Sequence, residues 1–493
     1  MSKIKLKTPQ AKATNELLFA IEMVKQGRLG DAETHLLNIL KARRQDWRVL
    51  HLLAEIHLTR SDYVQALEFM AAAMKANPGS TETQCNYGYI LQKLERHDDA
   101  LIYFKRALIA APNDVSTLLN CGTSLYQLNM LTEALASFDH LLALDPKNVN
   151  ALYNRANVLC ELRRFHESLA AFAATLAQDP AHAGAHWNEG LARLLLGDFA
   201  AGWKKYEWRW AESQRQQRRN FAQPLWLGNE PLTGKTILVH AEQGFGDTLQ
   251  FVRYLPELAD QGAKVVLEVQ PNLYSLLAGA KGASQVIPKG ASLPQFDVHC
   301  PMMSLPLALN TSLDSIPSDI PYLEAPRDRL RLWQERLSAK RGSRVALAWA
   351  GSATHKRDQA RSIPLANLQT LFGNNNAIEW LSVQRDLREG DAEILESHPH
   401  VQQLGLELND FGDAAAVLSL ADLVITVDTA VAHLAGALGR PVWVLLPYSP
   451  DFRWLLDRED SPWYPSARLF RQPFTGDWDS VITRVQESIL QFP

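Results

Sequence analysis

The chain has 493 residues, 46% apolar and 21% charged. That is enough to give each of about three domains its own core, and it excludes wholesale disorder. Lys and Arg total 50 against 54 Asp and Glu, a net charge of −4, so the basic excess of a nucleic-acid binder is missing. Four scattered cysteines form no C-x-x-C pair, and no stretch reaches 18 continuous apolar residues. A reducing, cytoplasmic setting with no membrane span is therefore expected. The basic segment from Met1 to Lys12 lacks the apolar stretch of a signal peptide.

From the N-terminus the chain repeats itself. Pro78, Pro112, Pro146 and Pro180 stand 34 residues apart. In the same frame lie small residues at Ala54, Gly88, Gly122, Ala156 and Gly190, and at Ala32, Ala66, Ala100, Ala134 and Ser168. A third series is bulky: Leu36, Met70, Phe104, Phe138, Phe172 and Tyr206. This is the tetratricopeptide signature of paired helices. Small residues let the two helices of a repeat approach, the bulky one fills the gap, and Pro ends the second helix. Repeats fall at about 13–46, 47–80, 81–114, 115–148 and 149–182. A sixth, 183–216, drifts after Gly190. An α-helical solenoid over residues 1–215 is expected.

One more position recurs. Asn86, Asn120, Asn154 and Asn188 are also 34 apart, each two residues before the small residue. An amide offers donors and acceptors to any peptide backbone, so a stacked row could hold an extended polypeptide. The alternative is helix-to-helix hydrogen bonding inside the array. Leu18 and Leu52 occupy the position in the first two repeats.

Residues 203–232 are rich in Trp and Arg and read as a transition whose tryptophans pack the array onto the next domain. From Lys235 short β runs alternate with helices. Candidate strands are 236–241, 264–269, 285–287 and 296–300, then 344–349, 379–383, 422–428 and 441–446. The pattern predicts two Rossmann-like lobes with parallel sheets, over 216–325 and 326–493, and a cleft between them. Ligands of such sheets sit beyond the C-terminal strand ends.

Three turns there carry chemistry. In Val239-His-Ala-Glu-Gln-Gly-Phe-Gly-Asp247, two glycines precede a helix start. Asp247 can take a proton from an attacking hydroxyl or cap the helix, and the two roles are compatible. His240 is the rival base. The second turn, 348–362, brings Lys356, Arg357 and Arg361 to a strand end, as a departing diphosphate would need. A basic surface loop is the alternative. In the third, a strand ends at Asp428 and a helix rich in small residues opens at Thr429, with His433 one turn inside. Such a helix start suits an anion. His433 is either part of that site or a contact to a neighbouring loop. Gln384, after the strand 379–383, is a candidate nucleotide contact. No Asp-x-Asp pair follows one of these candidate strands where a metal-bridged diphosphate would need it, so no metal and no cofactor are expected.

The segment Gly246-Asp247-Thr-Leu-Gln-Phe-Val-Arg-Tyr-Leu-Pro256 resembles the Gly-Asp…Leu-Pro segment of the heptosyltransferase family. Asp428-Thr-Ala-Val-Ala-His433-Leu-Ala…Pro441 is similar to that family's donor-site motif. The resemblance implies a GT-B fold and metal-independent transfer from a nucleotide sugar. It makes Asp247 the general base and puts Lys356 and Thr429 on the donor phosphates. The repeats resemble the array of O-GlcNAc transferases, asparagine row included. The whole architecture looks like that of bacterial flagellin glycosyltransferases. Two departures stand out: the first lobe is short, and Lys356 is flanked by Arg357 and followed by Arg361. The expected activity is glycosyl transfer to Ser or Thr of a polypeptide held by the repeats. The rivals are a catalytically inert scaffold and a transferase acting on a glycolipid or lipopolysaccharide.

Overall fold

The computed structural model describes residues 9–211, 218–337, 339–355, 357–373 and 378–492. The chain divides into two compact units, Met1–His182 and Ala183–Pro493.

The first unit is a run of helix pairs: Pro9–Lys25 with Leu29–Ala42, Trp47–Thr59 with Tyr63–Ala76, Thr81–Lys93 with His97–Ala110, Val115–Gln127 with Leu131–Leu144, and Val149–Glu161 with Phe165–Gln178. Local chemistry repeats with the period of 34. Asp46, Ser80, Asp114 and Asn148 cap the first helix of successive pairs, each side chain accepting a backbone N–H two or three residues on. Ser61, Glu95, Asn129 and Arg163 take left-handed backbone angles, φ 58–61°, where the first helix turns into the second. Gly27 occupies that position in the first pair, at φ 74°. The small and bulky series meet as the spacing requires. A Cβ on Gly88 would lie 2.7 Å from the Phe104 ring, and one on Gly122 equally close to Phe138. Ser168, standing where the series has Ala, is fully buried and donates to the Ala156 carbonyl at 2.8 Å.

The second unit opens with the helices Ala183–Leu195 and Phe199–Tyr206, so the sixth frame belongs with the α/β part of the chain. Trp203 is buried edge-on against Phe251 and Phe452, joining this helix pair to both sheet regions. Arg209, also buried, pairs with Glu242 at 3.0 Å and Glu207 at 2.6 Å. The first sheet holds β1 (Thr236–His240), β2 (Lys264–Val269), β3 (Gln285–Pro288) and β4 (Val298–Pro301) in the order β3-β2-β1-β4. The second holds β5 (Ser343–Ala348), β6 (Ile378–Ser382), β7 (Gln402–Gln403), β8 (Leu423–Val427), β9 (Val442–Leu446) and β10 (Ala467–Arg471) in the order β10-β9-β8-β5-β6-β7. All pairings are parallel. β7 and β10 are additions to the strands expected from sequence. The central strands read as unbroken apolar runs because both faces are covered. Strand order reverses between β1 and β4 in one sheet and between β5 and β8 in the other, which are the crevices where α/β sheets take ligands. No helix among the described residues is long and apolar enough to cross a membrane.

Candidate active site

Two helices from the two sheet regions pack together at these crevices. The helix Phe245–Phe251 starts after β1, and the helix Ala430–Ala437 after β8. Their contact demands a glycine, because a Cβ on Gly246 would come within 2.8 Å of the His433 ring. Ala432 and Ala435 are fully buried, and their small size lets the helix lie close to the sheet. The first and third turns singled out in the sequence therefore touch.

Beside this contact lies a cavity of about 820 Å³. Asp247, Arg361, Gln384, Asp428, Thr429 and His433 all line it. Lys356 lies outside the described residues. Asn86, Asn120 and Asn154 lie in the first unit and Asn188 in the second, and none of them is among the residues lining the cavity.

Asp247 is held at both carboxylate oxygens. One accepts from the Gly244 amide at 2.7 Å, closing the first turn of its own helix. The other accepts from the Arg453 guanidinium. Burial pushes this carboxyl above its ordinary value, with Arg453 pulling the other way. Arg453 also donates to Asp451 at 2.8 Å and to the Gln250 side chain at 2.5 Å. Burial would raise Asp451 too, but Arg453 outweighs it and holds that carboxylate low. Asp428 moves the other way: burial, then the Asp451 charge, push it up to about 6 against a Trp454 hydrogen bond and the Arg361 and Arg453 charges.

Further cations line the cavity. Arg361 donates to the Asp428 carbonyl at 3.0 Å and lies flat on Gly351, where a Cβ would collide with the guanidinium. Arg357 reaches the Ser449 carbonyl. Thr429 caps the helix Ala430–Ala437, its hydroxyl accepting from the Val431 amide at 3.3 Å. His433 is stacked on Trp454 and bonded to the Tyr464 hydroxyl at 2.9 Å. Burial, then Arg453, drop its pKa to about 3, so it is a neutral ring that braces the Gly246 turn.

Two candidates have a more structural part than the sequence suggested. The Gln384 amide accepts from the Trp349 and Ala350 amides at 3.0 Å and donates to the Ala350 and Asp386 carbonyls at 3.1 Å. Three of these bonds lock the loops after β5 and β6 together, and the fourth, to Asp386, closes the β6 loop on itself. His240 is buried in β1, 3.3 Å from His299 and against Phe221, and does not line the cavity. Arg453 and Asp451 were not singled out from sequence. They follow β9 in a Pro-Tyr-Ser-Pro-Asp-Phe-Arg stretch that carries no helix or strand period.

The asparagines of the first unit are engaged within the array. Asn86 Nδ2 lies 2.9 Å from His51 Nε2 of the preceding repeat, and Asn154 Nδ2 donates to Thr123 at 3.4 Å. Asn120 bonds the Cys85 thiol. The helix-to-helix alternative thus accounts for one bond of each amide.

Comparison with known proteins agrees with this layout. Residues 397–474 match the model of glycosyltransferase family 9 (heptosyltransferase). That stretch includes both the helix start at Thr429 and the Asp451–Arg453 loop. Residues 17–81, 81–114 and 153–207 match tetratricopeptide repeat models. The chain thus combines stretches that match tetratricopeptide repeats with one that matches glycosyltransferase family 9. Among curated relatives, Protein FlbA of Caulobacter vibrioides is 26% identical over 324 residues, 61% of this chain and 54% of the relative. The chain spans about half the length of that relative. Among solved structures, the type IV pilus biogenesis factor PilW is 20% identical over 41% of this chain and 93% of its own, at a TM-score of 0.38. YrrB, a TPR protein with an unusual peptide-binding site, is 22% identical over 34% and 88%, at 0.32.

Proposed function

We propose that the second unit is a metal-independent GT-B glycosyltransferase and that its acceptor is a polypeptide held by the repeats. The observation that carries the reading is one cavity lined both by a largely buried carboxylate, Asp247, and by Arg357, Arg361 and the Thr429 helix start. A nucleotide sugar and its acceptor need both. In the proposed step Asp247 takes the proton of a Ser or Thr hydroxyl. The freed oxygen attacks the anomeric carbon from the face opposite the leaving group, inverting it. The bond from that carbon to the phosphate oxygen breaks, and its electrons leave with the nucleotide diphosphate. Arg357, Arg361 and the helix start neutralise that charge where it develops. Gln384 keeps the loop after β5 in place for this.

The repeats would raise the local concentration of acceptor at the site. Asn86, Asn120 and Asn154 each spend one bond inside the array, and an amide has further donor and acceptor capacity for a peptide backbone. The test is transfer itself. The full chain would be incubated with a panel of UDP-, GDP-, ADP- and CMP-sugars and extended polypeptide acceptors, flagellin included on the strength of the resemblance. Mass spectrometry would look for a hexose-sized addition on Ser or Thr. Modification of a polypeptide, with a higher acceptor KM in Asn120→Ala and Asn154→Ala, supports the reading. Transfer only to a glycolipid, indifferent to those substitutions, overturns the acceptor assignment.

A further inference from the structure

We propose that His51, Glu55 and Glu82 form a binding site for a divalent transition cation of the zinc type, joining the second and third repeats. His51 and Glu55 lie one turn apart on the helix Trp47–Thr59, so they share a face. Glu82 sits in the first turn of the next repeat's helix, Thr81–Lys93. His51 Nε2 is 3.3 Å from a Glu55 carboxylate oxygen and 4.0 Å from one of Glu82. The three ligand atoms all lie within 4.8 Å of one another.

The imidazole is oriented before any ion arrives. Its Nδ1 is 3.2 Å from Thr83 Oγ1, and that hydroxyl already donates to Ser80 at 3.0 Å. Thr83 Oγ1 is therefore left to accept, which places the ring proton on Nδ1 and turns the Nε2 lone pair toward the carboxylates. Holding the far nitrogen of a histidine in this way is how proteins fix the tautomer of a metal ligand. His51 is 5% exposed and cannot swing away. With no ion bound, that lone pair accepts from the Asn86 amide at 2.9 Å, and a cation would take it over together with the two carboxylates. Asn86, at 2.9 Å from Nε2, supplies either a donor to the empty site or, with its amide turned, a fourth ligand oxygen. One nitrogen and two or three oxygens at this spacing suit Zn²⁺ better than Ca²⁺ or Mg²⁺. The group breaks the repeat: the positions 34, 68, 102 and 136 residues after His51 hold Cys85, Leu119, Tyr153 and Trp187. Helix packing common to all repeats does not call for it.

The site plays no part in the transfer chemistry and shares only Asn86 with the asparagine row, so the Asn120 and Asn154 variants test the acceptor reading apart from it. The test uses the untagged full chain, stripped with chelator. Zn²⁺ binding is measured by equilibrium dialysis and Co²⁺ binding by visible absorption, for wild type, His51→Gln and Glu55→Gln. Glu55 is 42% exposed at its side chain, so its variant folds even where His51→Gln does not. Expected are one equivalent of Zn²⁺, at least tenfold weaker binding in each folded variant, and a rise in unfolding temperature with Zn²⁺ in wild type alone. Absence of saturable binding in wild type would show a proton, not a metal, bridging these side chains and would overturn the site. Binding of equal strength in wild type and Glu55→Gln would overturn it as well.

Discussion

Arg453 donates one guanidinium N–H to Asp247 while a second holds Asp451 at 2.8 Å, so one cation serves two carboxylates that line the cavity. It is buried, and removing it leaves Asp247 with burial as the dominant influence. Burial favours the neutral carboxyl, so Asp247 would hold its proton to higher pH. As the proposed base it acts only when ionised. In Arg453→Gln the acid limb of the kcat/KM profile should therefore move to higher pH. Arg453→Lys, which keeps the charge, should restore much of the shift. The pH profile of donor turnover checks this; an unmoved limb would remove Arg453 from control of the base.

Gly246 is the tightest point of the contact between the two site helices. Gly246→Ala drives a Cβ to 2.8 Å from the His433 ring, which is itself fixed by Tyr464 and stacked on Trp454. Neither neighbour gives easily, so the turn bearing Asp247 must move. A displacement of about 1 Å costs on the order of 100-fold in rate. The expected result is a large loss of kcat with a folded protein by circular dichroism.

Much of this was legible in the sequence because it is periodic. The 34-residue frame places the small and bulky residues that meet at Gly88–Phe104 and Gly122–Phe138. Strands covered on both faces, such as β8 and β9, show as apolar runs. What was hidden has no period. β7 is two residues long, and β10 follows an irregular stretch that ends in Tyr464-Pro-Ser. Arg453 works through contacts with Asp247 and Gln250, more than 200 residues away in the chain. Gln384 stands out in the sequence as a candidate contact and lines the cavity, but its type alone could not tell a ligand contact from a clamp on Trp349 and Ala350.

The same frame hides strain. Glu95 sits at φ 60°, where the first pair of the array has Gly27. A side chain in this region costs about 1 kcal/mol or more. Glu95→Gly should raise the stability of the first unit by about 0.5–1 kcal/mol and Glu95→Val should lower it. Urea unfolding followed by circular dichroism separates the two.

Glu242 and Arg209 form a buried pair, their side chains 5% and 1% exposed. Breaking it leaves an uncompensated charge. Arg209→Ala should destabilise the second unit by about 3–5 kcal/mol, more than Arg209→Ala combined with Glu242→Leu. Thermal unfolding of the single and double variants tests this ordering.

The most direct measurement is donor binding beside donor hydrolysis for wild type and Asp247→Ala, across the four nucleotide-sugar classes. The account predicts that one donor binds both proteins, that wild type turns it over slowly, and that Asp247→Ala does not. Thr429→Ala should weaken donor binding with Asp247 intact. Turnover by Asp247→Ala at the wild-type rate, or no donor bound at millimolar concentration, would contradict it.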